Sequence, residues 1–324
     1  MPADIRPVKR ASSQRAADLY RAGVPLWNKE DLLDIEHELA QSYTLDKFTI
    51  RRIMVVKSAF KIPCSAFAIL YDGKPYVHFQ DYWRLVKAKP DGPPETYHCS
   101  YLVNWSNETL AEFRGTIEHP KALFEQVKLA WENSATCNLL RCDLTKFLGT
   151  KKVTKIVCFG LGDLHRKPPE WLTRMIQHSI ALTIADFCRH GSDEFVRLLS
   201  QDPDYTEQTK EILTRSGFEI VGQYGAGGFA EIDDETVVFS VFVNAPVKQI
   251  IADIARPLLV ISTGFEICDD HENPWADADS PRTRRMWQEY GCYDFPVSPE
   301  ESKTMAQMQK LKIYARTAAE RIDL

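Results

Sequence analysis

Several familiar signatures are missing from this 324-residue sequence, and each absence removes a class of function. No stretch approaches eighteen uncharged apolar residues, and the opening MPADIRPVKRASSQRAADLYRAG carries no apolar core of leader length. Neither a membrane span nor a secretory signal is therefore expected, and the expected location is cytoplasmic. The eight cysteines form no CxxC pair, and Cys64 and Cys158 sit in apolar, strand-like runs. That is the pattern of buried reduced thiols, not of disulfides or a zinc site. There is no GxxxxGKS/T phosphate loop, no HExxH and no GxSxG elbow. An enzyme built on this chain must use a substrate that arrives activated, or a soluble cofactor. Excess positive charge is missing too: a net charge of -5 argues against a protein that coats nucleic acid. Local basic patches remain open at Lys151-Lys152 with Lys155, at His165-Arg166-Lys167, at Arg282, Arg284 and Arg285, and at Lys303, Lys310, Lys312 and Arg316.

What is present divides the chain into three stretches. Residues 1–150 read as an α+β region, beginning with helices in which Leu32, Ile35 and Leu39 form a one-sided apolar stripe. A strand is expected at 53–56 and a hairpin at 66–79, turned by Asp72-Gly73. Helices follow at 108–114, 122–132 and 138–147. Residues 151–265 alternate short strands with helices, the signature of a parallel sheet with helical crossovers. Strands are expected at 155–159, 194–200, 219–222, 236–243 and 258–262, and helices at 171–189, 205–216 and 247–255. The continuous apolar runs IVCF, VVFSVFV and LLVIS fit strands covered on both faces. The fold class is therefore α/β, a Rossmann-like, mostly parallel sheet with helices on both faces. Residues 266–324 read as an acidic loop and a helical tail, helical from 300 onward and docked through Met305, Met308, Leu311 and Ala315.

Open α/β sheets bind ligands beyond the carboxyl ends of their strands, which directs attention to Gly160-Leu-Gly162-Asp163 after the first strand of the alternation. The third glycine of a dinucleotide fingerprint is missing, and Arg166-Lys-Pro-Pro169 intervenes before the next helix, so pyrophosphate is poorly served. Asp163 is acidic where phosphate needs neutral or basic surroundings. Gly160, Gly162 and Asp163 are accordingly expected to floor a pocket for an amine-bearing group. Asp202, closing the second strand, suits either a ribose hydroxyl or a helix entry. His178 suits either the site or the packing of its helix. Glu266, Asp269, Asp270 and Glu272 crowd four carboxylates into seven residues, which persist beside a cation or in solvent. The cation is Mg²⁺, a substrate guanidinium or ammonium, or the neighbouring arginines.

The segments IVCFGLGDL, QHSIALTIAD, QDPDYTEQTKEILTRSGFEIV and TVVFSVFVNAPVKQI resemble the sensitivity-to-red-light-reduced (SRR-like) domain family. That resemblance covers about a third of the chain and implies a Rossmann-like fold. The longer N-terminal half and charged tail look like fungal members, some of which are similar to arginine-containing cyclodipeptide synthases. The resemblance implies a tRNA-dependent transferase that joins arginine and a second amino acid from aminoacyl-tRNAs, arginyl-tRNA among them, into a diketopiperazine. It implies no cofactor and no required metal. It also implies that Glu266, Asp269, Asp270 and Glu272 hold the guanidinium or amine, although Asp269-Asp270-His271-Glu272 is one residue shorter than the family's DDxxE motif. A paired carboxylate is what a bidentate guanidinium needs. Two other readings stay open: a non-catalytic regulatory protein of the same family, and a nucleotide- or S-adenosylmethionine-binding enzyme.

Overall fold

The computed structural model describes residues 6–41, 47–51, 53, 57–61, 74–87, 94–105, 115–149, 151–167, 170–191, 195–264 and 277–317. At its centre is a seven-stranded sheet in the order β10 (Tyr290–Asp294), β11 (Leu311–Arg316), β9, β8, β5, β6 and β7. Its parallel part consists of β5 (Lys155–Phe159), β6 (Arg197–Gln201), β7 (Glu219–Ile220), β8 (Thr236–Ser240) and β9 (Leu259–Thr263). The chain runs outward from β5 to β6 and β7, then crosses back to place β8 on the other side of β5. That reversal is the topological switch point of a doubly wound sheet. The α/β, Rossmann-like expectation holds.

Alternation within β5 explains the layering. Ile156 and Cys158 face a core shared with Phe124, Leu140, Leu144 and Ile180. These come from α4 (Pro120–Glu132), α5 (Ala135–Leu148) and α6 (Trp171–His190). Val157 and Phe159 face the opposite core, with Trp27, Leu32, Ile35 and Ile250. That second face is covered by α1 (Arg6–Arg21), α2 (Lys29–Ala40) and α9 (Val247–Ile254). Period-two strands buried on both sides need helices on both sides, and the N-terminal region supplies part of the second layer. Glu36 of α2 fixes the contact by accepting the backbone N–H groups of Tyr224, Ala226 and Gly227 at 2.7–3.0 Å. Those amides lie at the glycine-rich turn into the short helix α8 (Gly227–Ala230). Among the described residues no helix is long and apolar enough to cross a membrane.

The N-terminal region also contains the antiparallel pair β1 (Lys47–Arg51) and β2 (Lys57–Lys61). Ile53 lies in a turn between them, where a strand was expected, and 54–56 fall outside the described residues. The second arm of the expected hairpin exists as β3 (Pro75–Phe79), and it pairs with β4 (Tyr101–Trp105). The first arm, its Asp72-Gly73 turn and the expected helix 108–114 lie outside the described residues. A short helix, α3 (Tyr82–Val86), follows β3, and α7 (Glu207–Arg215) links β6 to β7.

The tail corrects the sequence expectation. Beyond α10 (Pro281–Met286) it forms two strands, β10 (Tyr290–Asp294) and β11 (Leu311–Arg316), where a helix from 300 onward was expected. β11 adds antiparallel to β9, and β10 to β11, so the tail extends the sheet itself. Met305, Met308, Leu311 and Ala315 are buried as expected. Met305 sits in a turn and Met308 begins a short 3₁₀ helix (Met308–Lys310), whereas Leu311, Ile313 and Ala315 alternate along a strand.

Candidate functional site

A cavity of about 1040 Å³ opens along the carboxyl ends of β5, β6, β8 and β9, with Phe159, Gln201, Ser240 and Thr263 in its wall. Gly160 and Gly162 line it, both in the left-handed region at φ 69° and 81°. Each also makes room for a neighbour. A Cβ on Gly160 would lie 3.1 Å from Val243, and one on Gly162 would lie 2.6 Å from the Arg174 side chain.

The amides of these glycines are already engaged. Gly160 N–H donates to the Gln201 carbonyl at 3.3 Å, and Gly162 N–H donates to Asp202 Oδ2 at 2.8 Å. The other Asp202 oxygen accepts from Asp204 N–H at 3.0 Å. Asp202 lines the cavity at the end of β6, next to the switch point between β5 and β8, and its carboxylate occupies an amide of the glycine turn that a nucleotide-binding sheet offers to phosphate. Burial and the like charge of Asp204 push the Asp202 pKa up to about 6, against the two amide bonds and Arg174.

Asp163 does not floor the pocket as expected. It is buried beneath the turn and absent from the cavity wall. Its Oδ1 accepts from the N–H groups of His165 and Arg166 at 2.8 and 2.7 Å; its Oδ2 accepts from Thr206 N–H and Thr206 Oγ1 at 2.7 and 2.8 Å. Burial alone would raise its pKa, but these bonds outweigh burial and hold it below the usual carboxylate range. His178 is also internal. Its Nδ1 donates to the Arg174 carbonyl at 2.8 Å, which leaves Nε2 to accept from Tyr205 Oη at 2.9 Å, and Ser200 Oγ completes the chain. Burial lowers its pKa to about 4, so the ring is neutral and serves packing. Glu266, Asp269, Asp270 and Glu272 lie outside the described residues. The described chain stops at Gly264 and resumes at Asp277, and both Thr263 and Asp277 line the cavity.

The geometry adds residues that the sequence reading missed. Arg174 and Gln177 of α6 both line the cavity. Their three-residue spacing on the helix after the glycine turn was the available signal. Lys248, fully buried, donates its backbone N–H to Asp277 Oδ1 at 2.9 Å and sets its ammonium 3.9 Å from Asp277 Oδ2. Burial pushes the Asp277 pKa up to about 6 despite Lys248, with Asp279 and Asp81 adding to the rise.

Two acids whose folded pKa lies above the unfolded value give a definite sign. Between about pH 4 and 6 the native state holds protons that the unfolded chain has released, so stability from these groups falls as pH rises through that window. Each contributes a fall of up to about 3 kcal/mol. Urea midpoints measured from pH 4 to 7 are expected to show a shallower fall in Asp277→Asn than in the natural chain.

Four residues of the candidate basic clusters are internally paired. Lys155 meets Asp233 at 2.7 Å, Arg284 meets Asp279 at 3.4 Å, and Lys312 meets Asp294 at 2.6 Å. Arg282 is bonded to the buried Asp253. Lys310 instead lines the cavity.

Compared with known proteins, the sequence matches a family model described as the SRR1 domain over residues 125–320, from within α4 past the end of β11. No curated protein matches it.

Proposed function

The chain belongs to the SRR1 domain family, and from that premise we propose that it is a tRNA-dependent cyclodipeptide synthase joining arginine to a second amino acid. The observation that carries this reading is the Asp202 carboxylate seated on Gly162 N–H inside a large cavity. A protein anion on that amide repels a phosphate and attracts an ammonium or guanidinium, which disfavours a nucleotide held through its phosphate at the glycine turn. Thr263 and Asp277 in the wall bracket the acidic segment in sequence. That supports assigning Glu266, Asp269, Asp270 and Glu272 to the arginine side chain.

The chemistry needs no activation by this protein. The α-amine of one aminoacyl ester attacks the ester carbonyl of the other; a C–N bond forms, the C–O bond breaks, and the first tRNA leaves as an alcohol. The free amine of the dipeptidyl ester then attacks its own ester carbonyl, closes the ring and releases the second tRNA. The protein supplies orientation, and it must remove a proton from each attacking ammonium. Asp202 is the group we assign to that proton, since a carboxylate titrating near 6 is ionised at neutral pH yet basic enough to accept one.

Incubation with arginyl-tRNA and a mixture of other charged tRNAs, followed by mass spectrometry, is expected to reveal an arginine-containing cyclic dipeptide. No such product with demonstrably charged tRNA overturns the proposal. Product formation is expected to rise with pH through about 6 and to weaken steeply with added salt. Asp202→Asn is expected to lower it about 100-fold and to abolish the pH limb. An unchanged pH profile in that variant would remove Asp202 from the reaction.

A further inference from the structure

Phe242 lies between β8 and α9 with a backbone φ of 49°, one of two non-glycine residues with positive φ among those described. A bulky residue in that region is strained, and such geometry persists only where the surroundings impose it. Here they are visible. Val241 N–H donates to the Phe159 carbonyl at 3.2 Å, and Phe242 N–H to Thr263 Oγ1 at 3.4 Å. Val243 closes against Gly160, which has no side chain to prevent it. With Val241 and Ala245 turned inward, Phe242 is left 46 % exposed in the cavity wall. Lys310, in the same wall, holds its ammonium 5.7 Å from the centre of that ring and makes no ion pair among the described residues.

The Lys310 ammonium over the Phe242 ring repels a second cation there, so this end of the cavity is unsuited to arginine. It suits a flat uncharged ring joined to an anion, which is a nucleobase with its phosphate. Phe242 follows β8 and Asp202 follows β6, with β5 between them; two strand spacings separate the two ends by about 10 Å. That leaves room for a ribose and an ester. We propose that Phe242 and Lys310 form the subsite for the terminal adenosine of an aminoacyl-tRNA, the base stacked on Phe242 and its 5′-phosphate facing Lys310. The assignment rests on the cyclodipeptide synthase reading above, with Asp202 taking the ammonium at the other end.

The test is binding of the trinucleotide CCA to the full-length protein, with adenosine monophosphate as a parallel probe. Phe242→Ala is expected to weaken CCA binding about 5- to 100-fold and Phe242→Trp to retain it. Lys310→Ala is expected to weaken it and to make its dependence on salt shallower. No CCA binding by the natural chain, or unchanged binding by Phe242→Ala, would overturn the subsite. Adenosine monophosphate binding tenfold more tightly than CCA would overturn the tRNA assignment in favour of a free nucleotide. Product formation without Phe242-dependent CCA binding sinks this subsite alone. Phe242-dependent binding in a protein that forms no cyclic dipeptide sinks only the catalytic reading.

Discussion

Replacing Asp163 with alanine is expected to cost about 4 kcal/mol of folding stability and to lower the melting temperature by roughly 6 °C. The carboxylate is almost fully buried and accepts four hydrogen bonds. Two come from the amides that turn the chain after Gly162, and two from Thr206, the residue that caps α7. Alanine would leave three backbone donors without their acceptor at a junction that ties β5 to the helix after β6, and the cost of unpaired buried donors exceeds the net worth of the bonds. Asparagine keeps one oxygen acceptor but presents an amide to the other pair of donors, so Asp163→Asn is expected to lose about half as much. Because the Asp163 pKa is depressed in the fold, its stabilisation is fully present above about pH 4 and is lost as pH falls through the lower folded value. Thermal unfolding of both variants at pH 7 checks the magnitude. A melting temperature for Asp163→Ala within 2 °C of the natural chain would show that the four bonds contribute little.

Asp163 also marks how far the sequence was readable. The turn Gly160-Leu-Gly162-Asp163 stood out because it ends a continuous apolar strand, and the cavity does open there. What the turn does depended on partners far along the chain: Asp202, forty residues on, occupies the Gly162 amide, and Thr206 occupies Asp163. No local pattern announces such pairings. The strands β5, β8 and β9 were legible because burial on both faces makes them continuous apolar runs. The tail was not, since Met305, Met308, Leu311 and Ala315 satisfy helical spacing while Leu311, Ile313 and Ala315 also satisfy strand alternation. Pairing with β9 decides between the two, and pairing is a tertiary event. Phe242 escaped notice because a strand reading through 243 hides a residue whose backbone turns left-handed just after β8 ends at Ser240.

Arg282 carries the second large effect. In the sequence it belongs to a basic cluster suited to tRNA phosphate, yet in the fold it is an internal strut. Its Nη1 bonds the Asp253 carboxylate, its Nη2 donates to the carbonyls of Tyr20 and Val24 at 2.7 and 2.8 Å, and its guanidinium lies 3.9 Å from the centre of the Tyr20 ring. Asp253 in turn accepts from the N–H groups of Leu26 and Trp27. One side chain of α10 thus joins α9 to the connection between α1 and α2. Arg282→Ala would strand a buried carboxylate and two carbonyls, and is expected to destabilise the fold by about 3–5 kcal/mol. Lys cannot reproduce the planar fork that reaches Asp253 and both carbonyls together, so Arg282→Lys should recover only part of that loss. A strut also predicts what will not change. The salt dependence of CCA binding in whatever fraction of Arg282→Lys stays folded should match that of the natural chain, whereas Lys310→Ala should make it shallower. If Arg282→Ala left the urea midpoint unchanged but flattened the salt dependence, Arg282 would belong to the nucleic-acid surface after all.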